Sequence, residues 1–206
     1  MIKTFTTIAL AALVLISCNQ PGSKKEPETL ANLKTSIELE LLANAKYNHY
    51  ALMARQDSLP EIAALFHAAA VSEKAHVDRQ VTMLLAHGKN IGNYVPEYPP
   101  YDLRENLKTA IEVEYYEAMD QYPRFIAVSD RENMPDVSET FTWASEAEAK
   151  HYELFKQALA SLDDPTVVLA KSYMVCPRCG NTMDAEHYND PCDICGNEAS
   201  KFIEVK

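Results

Sequence analysis

Glu73 and His76 stand three residues apart, and the same spacing recurs at Glu148 and His151. On an α-helix, side chains three apart lie on one face, one turn above each other. Each pair would therefore present a carboxylate and an imidazole side by side. Bundles that bind two metal ions take such a Glu-x-x-His pair from two helices and a Glu from each of the others. The repeat predicts a two-metal site, provided that two further helices supply carboxylates.

The glycine distribution and the apolar spacing predict the helices that would position these residues. Only five Gly occur, with none between Ser23 and His87 or between Asn93 and Cys179. Apolar residues at spacings of three and four predict helices over roughly residues 29–57 and 60–87, from about 103, and over 135–162. Acidic residues interrupt all four apolar faces near their middles: Glu40, Glu73, Glu114, Glu117 and Glu148.

The connections predict a four-helix bundle with one long crossover. Residues 89–102, rich in Pro, Tyr and Asn, form that crossover, and we expect Pro123 to kink the third helix or end its regular part. In each hairpin the acidic residues lie 14 to 18 residues from the turn. At a rise of ~1.5 Å per residue, they meet at about one level.

Two simpler explanations compete with a metal site. A Glu on an apolar stripe can reflect a misjudged helix phase, and a lone buried His is often a hydrogen-bonded core residue. However, five buried carboxylates without a cation would be costly to desolvate. Oxygen ligands with two imidazoles suit iron or manganese better than a metal that prefers thiolates.

Residues 173–206, which follow a linker at 163–172, contain a second candidate site. Two CxxCG knuckles contain Cys176 and Cys179, and Cys192 and Cys195, with twelve residues between Cys179 and Cys192. Four thiolates at this spacing fit one tetrahedral metal site. Two disulfides are the alternative, but they would close very small loops. The spacing fits a structural zinc site as well as iron, and we favour iron because zinc would carry no electrons to the first site.

The N-terminal residues predict export. Residues 1–17 read as a signal peptide that ends in Leu15-Ile16-Ser17-Cys18, which resembles a bacterial lipobox with Cys18 as the lipidated residue. An ordinary signal with an incidental Cys is the alternative. Residues 18–28 would then tether the protein to a membrane, on the periplasmic side or at the cell surface. Lys3 is the only charged residue among residues 1–17, so their removal changes the formal charge from −11 to −12. This negative charge argues against nucleic acid as a partner.

Together these motifs resemble the rubrerythrin family over nearly all of the mature chain. The bundle motifs that carry the resemblance are Glu40 followed by Lys46-Tyr47-Asn48, Glu73-x-x-His76, Glu114-x-x-Glu117 followed by Tyr122-Pro123, and Glu148-x-x-His151. The C-terminal module matches rubredoxin at all four cysteines. The resemblance implies a mainly α fold, namely a ferritin-like four-helix bundle followed by a small rubredoxin-like domain of β-strands and metal knuckles.

The resemblance also implies a non-haem di-iron centre that reduces hydrogen peroxide to water, re-reduced through an iron held by the four cysteines, so that one chain holds three Fe. Glu73 and Glu148 would bridge the two irons. Glu40 would bind one iron together with His76 or Glu117, according to redox state, and Glu114 and His151 would complete the other. Glu73, His76, Glu117 and Glu148 are thus the predicted catalytic ligands. Tyr47 and Tyr122 match tyrosines that hydrogen-bond the ligands; the alternative is that they are ordinary core aromatics.

Two departures from the family pattern bear on partners. Tyr115-Tyr116 replaces a His-His pair that family members often carry. Most members are cytosolic, so the predicted lipid anchor leaves the electron donor unidentified. We expect a homodimer, because family members pair their domains across subunits. A ferroxidase or oxygen-reducing di-iron protein is the main rival function, and a non-catalytic metal-binding electron carrier is the other. Glu117, as a seventh ligand beside His76, favours the peroxide-reducing type.

Overall fold

The computed structural model of the protein describes residues 26–99 and 102–206. The predicted signal peptide, Cys18 and most of the predicted tether lie outside these described residues. Within the described ranges, none of the helices is both long and apolar enough to cross a membrane.

Five α-helices form the bundle: α1 Glu28–Gln56, α2 Pro60–Ala86, α3 Leu103–Tyr116, α4 Tyr122–Arg131 and α5 Pro135–Ser161. Local signals set their ends. Pro60 and Pro135 occupy the first turns of α2 and α5, where a missing N–H costs no helical hydrogen bond. The Asp102 side chain accepts a hydrogen bond from Glu105 N and so caps α3. Gly88, with φ of 70°, follows the end of α2.

The predicted third helix is divided into α3 and α4 by a π-helix at Glu117–Gln121. Pro123 lacks a backbone N–H, and its ring would clash with the carbonyl of residue 119 in a regular α-helix. The wider π turn contains residue 119, so it accommodates the proline and the chain continues as helix into α4. The regular part therefore ends at Tyr116, before the proline itself. Single π turns of this kind are frequent at functional sites.

The crossover residues described, 89–99 and 102, form neither helix nor strand. The Tyr98 hydroxyl donates to the carbonyl oxygen of Ala45 at 3.1 Å, which fastens this connection to α1. The bundle thus has the one long crossover that the sequence predicts, and the fold is the ferritin-like bundle.

Two apolar clusters fill the bundle on either side of the predicted metal layer. One includes Tyr47, Phe66 and Phe155, and the other includes Leu33, Leu84 and Phe141. The bundle has four long helical segments, of which the third is α3, the π-helix and α4 together. Along each segment, the acidic and histidine positions lie between the residues of these two clusters. The buried charge therefore forms a single layer through the middle of the core.

The C-terminal module is a three-stranded antiparallel sheet with strand order β2-β1-β3. Its strands are β1 Tyr173–Val175, β2 Thr182–Asp184 and β3 Ile203–Val205. Tyr173, Val175 and Val205 join the first apolar cluster of the bundle. The module is therefore packed against its own bundle, mainly on α2 and α5.

Candidate metal centres

Six of the seven predicted bundle ligands form two overlapping groups in the middle of the bundle. Within each group, the ligand atoms lie within 4.8 Å of one another. The first group consists of Glu40, Glu73, His76 and Glu148, and the second of Glu73, Glu114, Glu148 and His151. Because Glu73 and Glu148 belong to both groups, each can offer one oxygen to either side. This is the arrangement expected of two metal ions bridged by two carboxylates.

The two imidazoles turn their Nδ1 atoms toward the carboxylates. His76 Nδ1 lies 3.0 Å from Glu73 Oε2 and 2.9 Å from Glu148 Oε1. His151 Nδ1 lies 2.8 Å from Glu148 Oε2 and 3.4 Å from both Glu73 Oε1 and Glu114 Oε2. The ring of each histidine can therefore ligate a metal through Nδ1.

The opposite nitrogens of both rings are held by the C-terminal module. His76 Nε2 lies 3.0 Å from the carbonyl oxygen of Cys179, which can only accept, so Nε2 carries the proton. His151 Nε2 lies 3.0 Å from Thr182 Oγ1, whose own proton goes to the carbonyl of Gly180. Such outer hydrogen bonds fix the tautomer of a ligating histidine. They leave both Nδ1 lone pairs directed into the site.

The unsatisfied atoms of the cluster fit bound cations. Because both histidines carry their proton at Nε2, several buried side-chain atoms that face each other make no hydrogen bond: Glu40 Oε2, Glu73 Oε1, Glu114 Oε2, both oxygens of Glu148, and His151 Nδ1. A buried acceptor left without a partner costs about 1–3 kcal/mol, and more when it is charged. Metal ions between the helices would satisfy all of these atoms at once. The oxygen and imidazole donors suit iron, as the resemblance to the rubrerythrin family implies.

Burial and mutual repulsion make the metal-free cluster bind protons. Burial, with the charge of Glu148, raises the pKa of Glu73 to about 7. Burial is also the main cause of the raised pKa values of Glu114 and Glu148. For His76, burial opposes the charged form, but the surrounding carboxylates, above all Glu148, raise its pKa well above the ordinary value. Metal binding must therefore displace protons.

Glu117, the seventh predicted ligand, is buried but belongs to neither group. It is the first residue of the π-helix. Burial, followed by the charge of Glu40, raises its pKa well above the ordinary value. In this structure His76 lies among the ligands while Glu117 lies outside them. The predicted exchange between the two residues remains a prediction.

Both predicted tyrosines donate to ligand carboxylates. Tyr47 donates to Glu114 Oε1, and Tyr122 donates to Glu40 Oε1. Gln80 Nε2 in turn donates to the Tyr122 hydroxyl at 3.0 Å. The sequence reasoning missed this role of Gln80, although Gln80 lies on the same helical stripe as the α2 ligands. The tyrosines are core aromatics that also orient ligands.

The Tyr115-Tyr116 pair lies on the outside of the bundle, with 53% and 48% of the two side chains exposed. The Tyr115 ring is 5.3 Å from that of Tyr152, and the Arg124 guanidinium lies 5.8 Å from the Tyr116 ring. This departure from the family pattern therefore changes the outer surface of the bundle.

The four C-terminal cysteines are free and clustered. Cys176 Sγ lies 3.6 Å from Cys195 Sγ, and Cys179 Sγ lies 3.6 Å from Cys192 Sγ. None of the four forms a disulfide, so the structure has a four-sulfur cluster suited to a metal ion in place of the alternative disulfides within each CxxC pair. A hydrogen bond from Cys179 lowers the pKa of Cys176 to about 5, which favours a thiolate there.

The two knuckles have the same backbone geometry. The N–H of Gly180 donates to Cys176 O at 2.9 Å, and that of Gly196 donates to Cys192 O at 2.8 Å. Both glycines have positive φ, 78° and 69°, which other residues adopt only with strain. The repeated turn places each pair of sulfurs on the same metal site.

The knuckle at Gly180 also touches the bundle. Ser72 Oγ donates to the Gly180 carbonyl at 2.6 Å. A Cβ at Gly180 would overlap His76 Nε2 and Ser72 Oγ, so only glycine permits this approach. As a result, a cysteine of one site and a histidine of the other share a hydrogen bond. These contacts join distant parts of the sequence, and no sequence periodicity signals them.

Comparisons with known proteins agree with this geometry. The family model described as Rubrerythrin matches residues 31–159. Nigerythrin from Nitratidesulfovibrio vulgaris is 32% identical over 175 residues, covering 84% of this chain and 85% of the relative. Rubrerythrin from Clostridium perfringens is 31% identical over 163 residues, covering 77% and 83%. The solved structure described as the fully reduced, all-ferrous state of nigerythrin aligns with a TM-score of 0.78 at 29% identity, covering 96% of this chain and 100% of that one.

Proposed function

The chain belongs to the rubrerythrin family, and we propose that it is a non-haem di-iron peroxidase that reduces hydrogen peroxide to water. Its buried carboxylate–histidine cluster corresponds to the family's di-iron centre, and its four cysteines form a site for a third metal. The reaction consumes one peroxide, two electrons and two protons and yields two waters. When bound, the two irons supply the two electrons that cleave the O–O bond.

The observation that carries this proposal is the spare buried carboxylate of Glu117. Two ligand groups are complete without it, yet it lies in the core at the start of a π turn. A buried carboxylate is costly to desolvate, and a second ligand position beside His76 would give Glu117 a role. A centre with an exchangeable ligand suits a redox cycle in which one iron changes its coordination.

The surrounding residues support this chemistry in three ways. Glu73 and Glu148 hold the two metal positions together. The two apolar clusters exclude bulk water from the site. The hydroxyl groups of Tyr47 and Tyr122 keep the outer carboxylates oriented, and both stay protonated, because burial raises their pKa values well above the ordinary value.

The contact between His76 Nε2 and the Cys179 carbonyl supports a short electron route within one chain. We propose that the four-cysteine site holds iron, giving three irons per chain, and passes electrons to the di-iron centre one at a time. Zinc is the alternative occupant and would stop this route. A homodimer remains a proposal, and mixing chains that each lack one of the two sites tests it. Restored turnover in the mixture would favour a route between subunits.

The proposed activity is tested on iron-loaded protein after metal counting and full reduction. Reoxidation of the di-iron centre should be faster with hydrogen peroxide than with dioxygen in stopped-flow absorbance. Glu117→Gln should slow the peroxide reaction, whereas Glu112→Gln, at an exposed position on the preceding α3, should leave it unchanged. Peroxide reoxidation no faster than dioxygen reoxidation would refute the peroxidase proposal.

The rival functions give different outcomes in the same experiment. A ferroxidase or oxygen-reducing di-iron protein would react faster with dioxygen. A non-catalytic metal-binding electron carrier would consume peroxide equally well after Glu73→Ala. His76→Ala adds a third test, because a part-time ligand should affect cycling more than iron content. Equal loss of both would argue against the exchange of His76 and Glu117.

We also propose that the protein is exported and anchored to a membrane through lipidated Cys18, with an electron donor on that side of the membrane still to be identified. The lipobox-like segment supports this. Cys18→Ser should release the protein from membranes and abolish acyl labelling. An unprocessed N-terminus in the purified wild-type protein would contradict the anchor.

A further inference from the structure

Trp143, the only tryptophan of the chain, connects the bundle to the four-cysteine site. It lies on α5 and is 8% exposed. Its ring forms an apolar cluster with Cys176, Cys179 and Cys192. The bundle therefore contributes one wall of the site that the module's cysteines form.

Two guanidinium groups lie against this tryptophan. Arg79 Cζ, from α2, is 4.2 Å from the Trp143 ring centroid, and Arg178 Cζ, from the first knuckle, is 4.7 Å from it. Arg178 Nη1 also approaches the carbonyl of Cys195 at 3.4 Å. We call Arg79, Trp143 and Arg178 the arginine–tryptophan cluster. It places two permanent positive charges beside the sulfur ligands.

The other charges near this cluster are paired or more exposed. Glu139 Oε2 lies 3.3 Å from Arg79 Nη2. The Glu139 side chain is 54% exposed, whereas the Arg79 side chain is only 24% exposed. Lys150 is paired with Asp193 at 2.8 Å. Water therefore screens Glu139 more than it screens Arg79. Arg79 Nε is buried without a hydrogen-bond partner, so Glu139 pairs with the guanidinium through Nη2 and leaves Nε unpaired.

A positive charge at this position acts on the redox state of the neighbouring metal. Four thiolates with a ferric ion carry one net negative charge, and reduction to ferrous iron adds a second. A nearby cation stabilises the more negative state, and net charge is one of the factors that set the potential of iron–thiolate sites. Low exposure strengthens the interaction because the local dielectric constant is lower.

We propose that Arg79 of the bundle and Arg178 of the module raise the reduction potential of the four-cysteine iron, so that docking of the module on the bundle tunes its redox state. Arg79 acts only across the interface, because it belongs to α2. The inference rests on the proposed iron at this site and is independent of what the di-iron centre reduces. Arg79 touches no substrate and acts only through its charge on the four-cysteine site.

The test is equilibrium redox titration of the full iron-loaded chain, followed by the absorbance of the four-cysteine iron. Arg79→Gln should shift the equilibrium constant for reduction about tenfold toward the oxidised form, which corresponds to about 59 mV for one electron. Arg79→Lys keeps the charge and should retain most of the wild-type potential. Glu139→Gln should shift the potential in the opposite direction by a smaller amount. Arg131→Gln, whose exposed side chain faces Glu28, is the control and should not shift it.

Trp143 supplies a check on docking, because its fluorescence reports only this interface. An unchanged emission spectrum in Arg79→Gln would show that the module stays in place while the potential moves. If Arg79→Gln and Arg79→Lys shifted the reduction potential equally, or if Glu139→Gln shifted it in the same direction as Arg79→Gln, the inference would be overturned. The proposed function would be unaffected. A four-cysteine site that takes up zinc and rejects iron would overturn both this inference and the proposed electron route.

Discussion

Removing the metals should reverse the pH dependence of this protein's stability. In the metal-free bundle, burial and the neighbouring charge of Glu148 raise the pKa of Glu73 from 4.5 to about 7. Between pH 4.5 and about pH 7, the Glu73 carboxyl therefore keeps a proton in the folded state that it has lost in the unfolded chain. Stability from this carboxyl is complete below pH 4.5 and disappears as the pH rises through 7. The raised pKa values of His76 and His151 act in the same direction.

The size of the effect follows from the pKa of Glu73. A tenfold change in proton affinity corresponds to about 1.4 kcal/mol. Between pH 5 and pH 8, this one carboxyl should lower the free energy of unfolding of the apoprotein by about 2–3 kcal/mol. The pKa of Glu40 is lowered; this carboxyl is therefore ionised in both states over this range and adds nothing.

The assay is urea denaturation of reduced apoprotein at pH 5 and pH 8, followed by circular dichroism. Glu73→Gln should remove about 2–3 kcal/mol of the difference between the two pH values, whereas Glu146→Gln, at an exposed position, should leave it unchanged. Protein loaded anaerobically with ferrous iron should show the opposite trend, because metal binding displaces the protons. An apoprotein at least as stable at pH 8 as at pH 5 would refute the assignment of a proton-holding carboxylate cluster.

Three further substitutions test other parts of the structure. Gly180→Ala should push the module off the bundle and slow electron transfer between the sites at least tenfold in stopped-flow measurements. Gly196→Ala, with a similar φ but open space around it, should retain the wild-type rate, and equal slowing in both would contradict the contact. Tyr122→Phe should lower the free energy of unfolding by about 1–3 kcal/mol in urea titrations, because a buried ligand carboxylate loses its donor; Tyr188→Phe, at a partly exposed position, should not. Cys192→Ser should remove the metal of the four-cysteine site while leaving the bundle metals in place by elemental analysis, and an unchanged metal count would contradict that site.

Local sequence signals were sufficient to predict the helices. Proline at the first turns of α2 and α5, and glycine after α2, fixed the ends to within a residue or two. The convergence of the ligands was predictable for a related reason. Residues at equal distances from the turn of a hairpin must lie at equal depth, whatever the details of packing.

The remaining features depend on contacts that have no sequence period. Pro123 signals an irregularity, but only the folded backbone shows that a π turn absorbs it and leaves Glu117 outside the ligand groups. The docking of the module depends on the missing side chain of Gly180 and on a hydroxyl of Thr182. The first contact joins residues that are 108 positions apart in the sequence, and the second joins residues 31 apart. Both depend on the complementary shapes of the module and the bundle, which composition and spacing do not reveal.

The layer of buried charge between the two apolar clusters has a consequence for cooperativity. Without metal, the cluster around Leu33, Leu84 and Phe141 is separated from the cluster around Tyr47, Phe66 and Phe155 by a layer of buried carboxylates that lack a cation. Each cluster can then open as a separate unit, as partially unfolding regions of other proteins do. Bound metal ions would take ligands from all four long helical segments and so couple the two apolar clusters. In hydrogen exchange, the apoprotein should therefore show two protection levels, with the half that carries the C-terminal module exchanging more slowly, and metal should merge them into one.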